Sequence, residues 1–195
     1  MSQKSSLNDV FYGLRSIKKA GESGDAPRTT PAVAYLLGAI DATENPRDKS
    51  LLLGLLAIEY GYLGMDDDEL RVSKESVETF PDAPMPHISL SSTYLLREQY
   101  KEARQSAEMA VSVAESDGHF RRHALQTLAR ALRKLQAFGE LEVVLEKLIG
   151  MTNTGADAAV ETDFLYELPP GSIREELKQQ YLALQGSRAR KPAQP

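Results

Sequence analysis

Two clusters in this 195-residue chain carry side chains that could do chemistry, the acids Asp66, Asp67 and Asp68 and the histidines His119 and His123. Three adjacent carboxylates suit a hard cation such as Mg²⁺ or Ca²⁺. The glycine and bidentate glutamate of a calcium loop are absent, however, and acids at a helix start also satisfy free amides and complement the helix dipole. His119 and His123 lie four apart and face one way on a helix, the geometry of two zinc ligands. Phe120 stands where a zinc hydrolase carries its glutamate, and no further ligand accompanies the pair. The chain has no cysteine, which removes disulfides, thiolate metal sites and cysteine nucleophiles. Neither a phosphate-cradling glycine loop nor a nucleophile elbow occurs. The expectation is a protein with no metal, no cofactor and no catalytic residue, and therefore not an enzyme.

What remains is charge and apolar surface. The net charge of −5 argues mildly against nucleic acid as the main partner. Its distribution is uneven: from Glu59 to Glu78 seven acids oppose Arg71 and Lys74, whereas from His119 to Gln136 there are Arg121, Arg122, Arg130, Arg133 and Lys134 with no acid. A carboxylate-bearing partner suits the second stretch, because guanidinium groups pair strongly with acids.

The elements that position these groups repeat. Leu53, Leu56, Ala57 and Tyr60 recur 34 residues later as His87, Leu90, Ser91 and Tyr94, and 38 residues after that as Leu125, Leu128, Ala129 and Leu132. Second helices follow, with Ala103, Ala107 and Ala110 in the middle repeat where the third has Leu141, Leu145 and Leu148. Fixed-period similarity of this length means stacked helix pairs. The pattern resembles the tetratricopeptide repeat (TPR), with Gly64 at the first turn, Tyr100 and Phe138 after the next two, and Pro81 closing the first repeat. Glu115 and Asn153 stand where later repeats would have that proline, and no repeat has the family's tryptophan. The second helix of the first repeat fits one residue out of step, placing Leu70, Lys74 and Val77 at the packing positions after an extra residue in the Met65–Asp68 turn. The resemblance implies an all-α fold, a TPR-like right-handed superhelix of antiparallel helix pairs with N- and C-terminal capping helices.

Around the repeats, residues 1–44 read as N-terminal cap helices or a degenerate repeat, 45–150 as three TPR-like units, 151–186 as C-terminal cap helices and 187–195 as a disordered tail. Leu7, Val10, Phe11, Leu14 and Ile17 make one apolar stripe, and Ile173, Leu177, Tyr181 and Leu184 another. Asn45–Pro46 and Thr30–Pro31 mark helix starts, and Asp66 with Glu69 and Ser172 with Glu175 have capping-box spacing. Apolar residues at 42% and charged residues at 26% sit at the globular average, and a chain of this length can bury about 70% of its extended surface. No secretory signal is visible, and the apolar run Leu51–Leu63 is too short to span a bilayer, so the expected location is cytoplasmic.

In arrays of this kind the first helices line a concave groove. The resemblance places Leu51, Gly54, Ile58, Gly61 and Tyr62 there from the first repeat, Met85, Ile88, Ser92, Leu95 and Leu96 from the second, and His123, Gln126, Arg130, Arg133 and Lys134 from the third. Tyr62, Ile88, Ser92, Leu95, His123, Gln126, Arg130, Arg133 and Lys134 are thus the candidate partner-binding residues. The implied function is a non-enzymatic adaptor that binds a protein segment with apolar anchors and acidic residues. A secretion-type TPR chaperone is an alternative reading, and a nucleic-acid or phosphate-ligand binder using the 121–134 face is a third. The clamp with which some TPR proteins hold a chaperone's C-terminal carboxylate is absent, its places being taken by Gly54, Ile58, Ser89, His123 and Thr127. Whether Leu51, Ile58, Leu95 and Leu96 line an open groove or are core covered by the N-terminal helices stays open.

Overall fold

The computed structural model describes residues 7–21, 30–114, 118–151 and 163–186. They form ten α-helices: α1 (Leu7–Gly21), α2 (Thr30–Asp41), α3 (Pro46–Tyr62), α4 (Asp66–Thr79), α5 (Pro84–Leu96), α6 (Tyr100–Val113), α7 (Gly118–Lys134), α8 (Phe138–Met151), α9 (Asp163–Tyr166) and α10 (Glu175–Gly186). No strand occurs among the described residues. The chain forms two compact units whose boundary falls inside α5, between Thr93 and Tyr94.

One turn is used three times. Gly64, Glu98 and Gln136 all adopt left-handed backbone angles, with φ of 68°, 59° and 57°. The amides that follow donate to the carbonyls of Tyr60, Tyr94 and Leu132, at 3.0, 2.9 and 3.0 Å. This closes the first helix of each pair and reverses the chain in a fixed number of residues. The repeat periods follow from it: α4 and α6 are each 14 residues long and each is followed by four residues before the next helix, so the four extra residues of the second period lie in α7, which has 17 residues where α5 has 13.

The recurrent positions of the first helices face inward. Leu53, Leu56, Ala57 and Tyr60 are buried, as are His87, Leu90 and Ser91, and Leu125, Leu128, Ala129 and Leu132; Tyr94 is half-buried. His87 is kept buried by donating from Nε2 to the Pro81 carbonyl at 2.8 Å, which ties the proline connector to α5. Asn45 caps α3 by accepting from the Arg47 and Asp48 amides.

The second helix of the first repeat differs from the sequence reading. Because Gly64 turns as Glu98 and Gln136 do, no extra residue enters, and Glu69, Ser73 and Ser76 occupy the places of Ala103, Ala107 and Ala110. Ser73 and Ser76 are buried and Lys74 is exposed. Hydroxyl groups survive there because each finds a partner. Ser50 Oγ donates to the Ser76 carbonyl and Ser76 Oγ to the Ser50 carbonyl, both at 2.8 Å. Thr93 gives its one proton to Glu69 Oε1 at 3.0 Å, so Ser73 donates to Thr93 at 3.1 Å. Glu69 is thus spent across the helix pair, and the expected capping box with Asp66 does not form: Asp66 is already helical, behind Met65 as an N-cap without a side-chain bond.

In the N-terminal unit, Val10 and Leu14 of α1 and Ala32, Leu36 and Ile40 of α2 complete a core with Leu52, Leu53, Leu56, Ala57, Tyr60 and Val72. Gly13 permits the α1–α2 approach, since a Cβ there would lie 2.1 Å from the Tyr35 hydroxyl. In the C-terminal unit, Leu165, Leu168, Ile173, Leu177 and Tyr181 are buried in one cluster with Leu141, Val144, Leu145 and Leu148. Here too a capping box is replaced. Ser172 Oγ makes no hydrogen bond, and the Arg174 amide instead donates to the Glu142 carboxylate at 2.6 Å while the guanidinium reaches Glu142 and Glu146. Arg104 bridges α6 and α8 through both Glu140 oxygens, at 3.0 and 2.7 Å. The expected tail 187–195, the loop residues 22–29 and 152–157, and the side chains of Ile17, His119 and Leu184 lie outside the described residues.

Ser76→Ala removes the bond to the buried Ser50 carbonyl but leaves Ser50 Oγ bonded to the Ser76 carbonyl, so it should cost about 1 kcal/mol in urea unfolding, while Lys74→Ala at the exposed neighbouring position stays within about 0.5 kcal/mol. Gly64→Ala meets no atom within 4 Å, so its expected loss of about 1–2 kcal/mol is backbone strain alone. The Arg174 amide and guanidinium hold the Glu142 carboxyl below its ordinary range. The clamp therefore contributes at pH above the ordinary carboxylate value and is lost as pH falls through the depressed one. Arg174→Ala should raise the Glu142 midpoint only in part in an NMR titration, because the amide, the larger cause of its lowering, remains.

Candidate partner-binding surfaces

The repeat places four residues of each first helix on one face, at spacings of four, three and four: Leu51, Leu55, Ile58 and Tyr62 on α3, Met85, Ser89, Ser92 and Leu96 on α5, and His123, Thr127, Arg130 and Lys134 on α7. Equivalent places thus change from apolar, through mixed, to basic.

In the N-terminal unit the face of α3 forms one wall of a pocket of about 110 Å³, lined by Phe11, Ser50, Leu51, Gly54, Leu55, Ile58, Ser76, Met85, Pro86 and Ser89. No charged side chain lines it. The Ser50 and Ser76 hydroxyl protons are given to each other's carbonyls, so those residues contribute no spare donor. A Cβ on Gly54 would meet nothing within 4 Å, which makes that glycine the source of the free space. Ile58 is 49% and Phe11 42% exposed, so the pocket is open, with α1 forming one side through Phe11. Leu51, Gly54, Ile58 and Met85 are therefore brought together as the sequence grouped them. Phe11, Leu55, Pro86 and Ser89 were not. Phe11 read as part of a core stripe, and the four-residue step from Leu51 to Leu55 was the available signal for the second.

The individual candidates are differently placed. Tyr62 is 72% exposed, one turn beyond Ile58. Ile88 and Gln126 are buried. Ser92 and Leu95 are half-buried, and the Ser92 hydroxyl donates back to the Ile88 carbonyl at 3.0 Å. His123 and Arg130 are half-buried on α7, where the Thr127 hydroxyl is likewise turned back to the His123 carbonyl at 2.9 Å. Lys134 is exposed, its ammonium 5.9 Å from the centre of the Tyr100 ring. Arg133 was expected at the surface, but its side chain is 16% exposed and paired with Glu167 of the segment after α9. Arg122 is buried deeper, donating to the Met151 carbonyl at 3.0 Å at the end of α8. The exposed part of the basic stretch is accordingly smaller than its composition: Lys134 is exposed, and Arg121 and Arg130 are half-buried.

The acids at the start of α4 have a different setting. Arg71 is held by Asp68 at 3.0 Å and Glu75 at 3.6 Å, the Asp68 hydrogen bond being the main cause of its raised pKa. Asp66 and Asp67 are exposed. Among the described residues no helix is long and apolar enough to cross a membrane.

No protein-family model matches the sequence, and no curated protein is significantly similar to it. Solved structures are similar over nearly the whole chain. The TPR-like repeats of a putative kinesin light chain from Podosopora anserina superpose with a TM-score of 0.65 at 18% identity, covering 98% of this chain and 100% of that one. MamA from Desulfovibrio magneticus RS-1 gives 0.61 at 15% identity, covering 95% and 99%. BtubC from P. vanneervenii gives 0.61 at 9% identity, covering 97% and 93%. Equal turns, inward-facing repeat positions and these superpositions agree: the chain has an all-α, TPR-like repeat fold.

Proposed function

We propose that the protein is a non-enzymatic interaction scaffold that takes apolar side chains of a partner protein in the α3–α5 pocket and carboxylates at the basic stripe of α7. The observation that carries this reading is the pocket. It is open and apolar; of its α3 wall Leu55 also packs against the core while Leu51 and Ile58 do not, and exposed apolar surface supports a partner site. The α7 stripe supports the second contact, since His123, Arg130 and Lys134 stand at the equivalent positions of a helix without acids. In this reading residues 45–150 supply the recognition helices, residues 1–44 cap them at one end or serve as a degenerate repeat, and residues 151–186 cap the other. The absence of cysteine supports the cytoplasm as the place of action.

The test is a quantitative comparison of proteins captured by wild type and by two variants that stay folded. Gly54→Phe should fill the pocket and lose partners, with far-UV circular dichroism and melting unchanged. Arg130→Glu with Lys134→Glu should lose acidic partners; Arg133 is left alone because its role is the Glu167 contact. A captured set identical across all three proteins would overturn the reading.

A further inference from the structure

We propose that the partner segment anchored in the N-terminal pocket places an aliphatic side chain there and carries Lys or Arg beyond it, over the C-terminal end of α3. The proposal rests on the pocket reading above and adds the chemistry of the occupant. The anchor follows from the walls. Phe11, Leu51, Ile58 and Met85 are apolar, the Ser50 and Ser76 protons are spent so that Ser89 is the serine left to offer a hydroxyl, and 110 Å³ is below the about 150 Å³ of a dry apolar cavity that accepts a benzene ring. One leucine-sized group fits and a charged one would lose its hydration unpaired.

The basic flank follows from the charge along α3. Exposed Arg47 stands at its start, whereas its last turn carries no basic residue. Immediately beyond lie four acids, Asp66 to Glu69, in the first turn of α4. That turn abuts the end of α3, since the Glu69 carboxylate comes within 3.1 Å of where a Gly61 Cβ would be. The negative end of the α3 dipole and the positive end of the α4 dipole meet at this turn and offset each other, so the acids set the sign. Arg71, the cation within α4 nearest these acids in sequence, is committed to Asp68 and Glu75. A segment running from Gly54 past Tyr62 thus moves from an uncharged pocket into negative potential. The path is ~12 Å along the helix axis, about four residues of extended chain. The required flank is opposite in sign to the one that suits α7, so a partner's two contacts are not interchangeable.

The test uses three labelled peptides of about twelve residues, otherwise polar and uncharged, in fluorescence anisotropy with the full chain. The first carries one leucine followed about four residues later by two lysines, the second has glutamates for the lysines, and the third has alanine for the leucine. The lysine peptide should bind about tenfold more tightly than the glutamate peptide, and the ratio should shrink in high salt and in Asp66→Asn with Asp67→Asn. The alanine peptide should not bind, and Gly54→Phe should abolish binding of the other two. Ile58→Gln serves the same purpose at an exposed position should Gly54→Phe fail to fold. Equal affinity for the lysine and glutamate peptides, both lost on filling the pocket, would overturn the charge selection and leave the pocket reading standing. A lysine peptide that bound the folded pocket variants as tightly as wild type, or no binding to wild type by any peptide, would overturn both.

Discussion

A left-handed residue at the same place in three helix pairs governs how this chain folds. Gly64, Glu98 and Gln136 each direct the next amide back to a carbonyl four residues before them, so each second helix starts a fixed distance from the inward residues of the first. Glycine suits that conformation, while glutamate and glutamine adopt it at a cost of about 1–2 kcal/mol. Two non-glycine residues held there mean that the packing on either side determines the turn and the local preference is overridden.

That constraint explains why equivalent packing positions can be filled with unlike materials. The second-helix positions hold alanines in α6, leucines in α8, and two serines and a glutamate in α4. Ala107, Leu141, Leu145 and Leu148 bury apolar area in the C-terminal cluster, whereas Ser73, Ser76 and Glu69 gain by pairing with Thr93 and Ser50. A buried hydroxyl is costly only when unpaired, and here the fixed turn delivers each to its acceptor.

The same arithmetic leaves four positions of each first helix facing away from the pair. On α3 these are apolar yet not enclosed, and Gly54, which carries no side chain, turns that face into a pocket. On α7 they are polar or basic. Two of the hydroxyls at these places, Ser92 and Thr127, donate back to their own helices. Arg133 and Arg122, beside these positions, are drawn into contacts with Glu167 and Met151, which hold the last elements of the C-terminal unit.

The recurrence of Leu53, Leu56, Ala57 and Tyr60 was legible without coordinates, because first-helix packing positions are apolar or aromatic in most repeats and their period is fixed by the turn. Helix identity, the start of α3 at Asn45–Pro46 and the inward places of Ile173, Leu177 and Tyr181 followed from equally local chemistry. The register of α4 did not. Apolar pattern favoured Leu70 and Val77, and only the turn geometry and pairs spanning 26 residues, as between Ser50 and Ser76, put serines inward. Neither capping box survived: Glu69 bonds Thr93 on the neighbouring helix, and the Ser172 amide donates to the Pro169 carbonyl while α10 starts only at Glu175. The pocket was half legible: Leu51, Gly54, Ile58 and Met85 share repeat positions, but Phe11 arrives from a helix outside the repeat, and burial of Ile88, Gln126 and Arg133 depends on what packs over them. Sequence determined which faces exist, because periodicity is local; tertiary structure decided which are covered, because coverage depends on residues far along the chain.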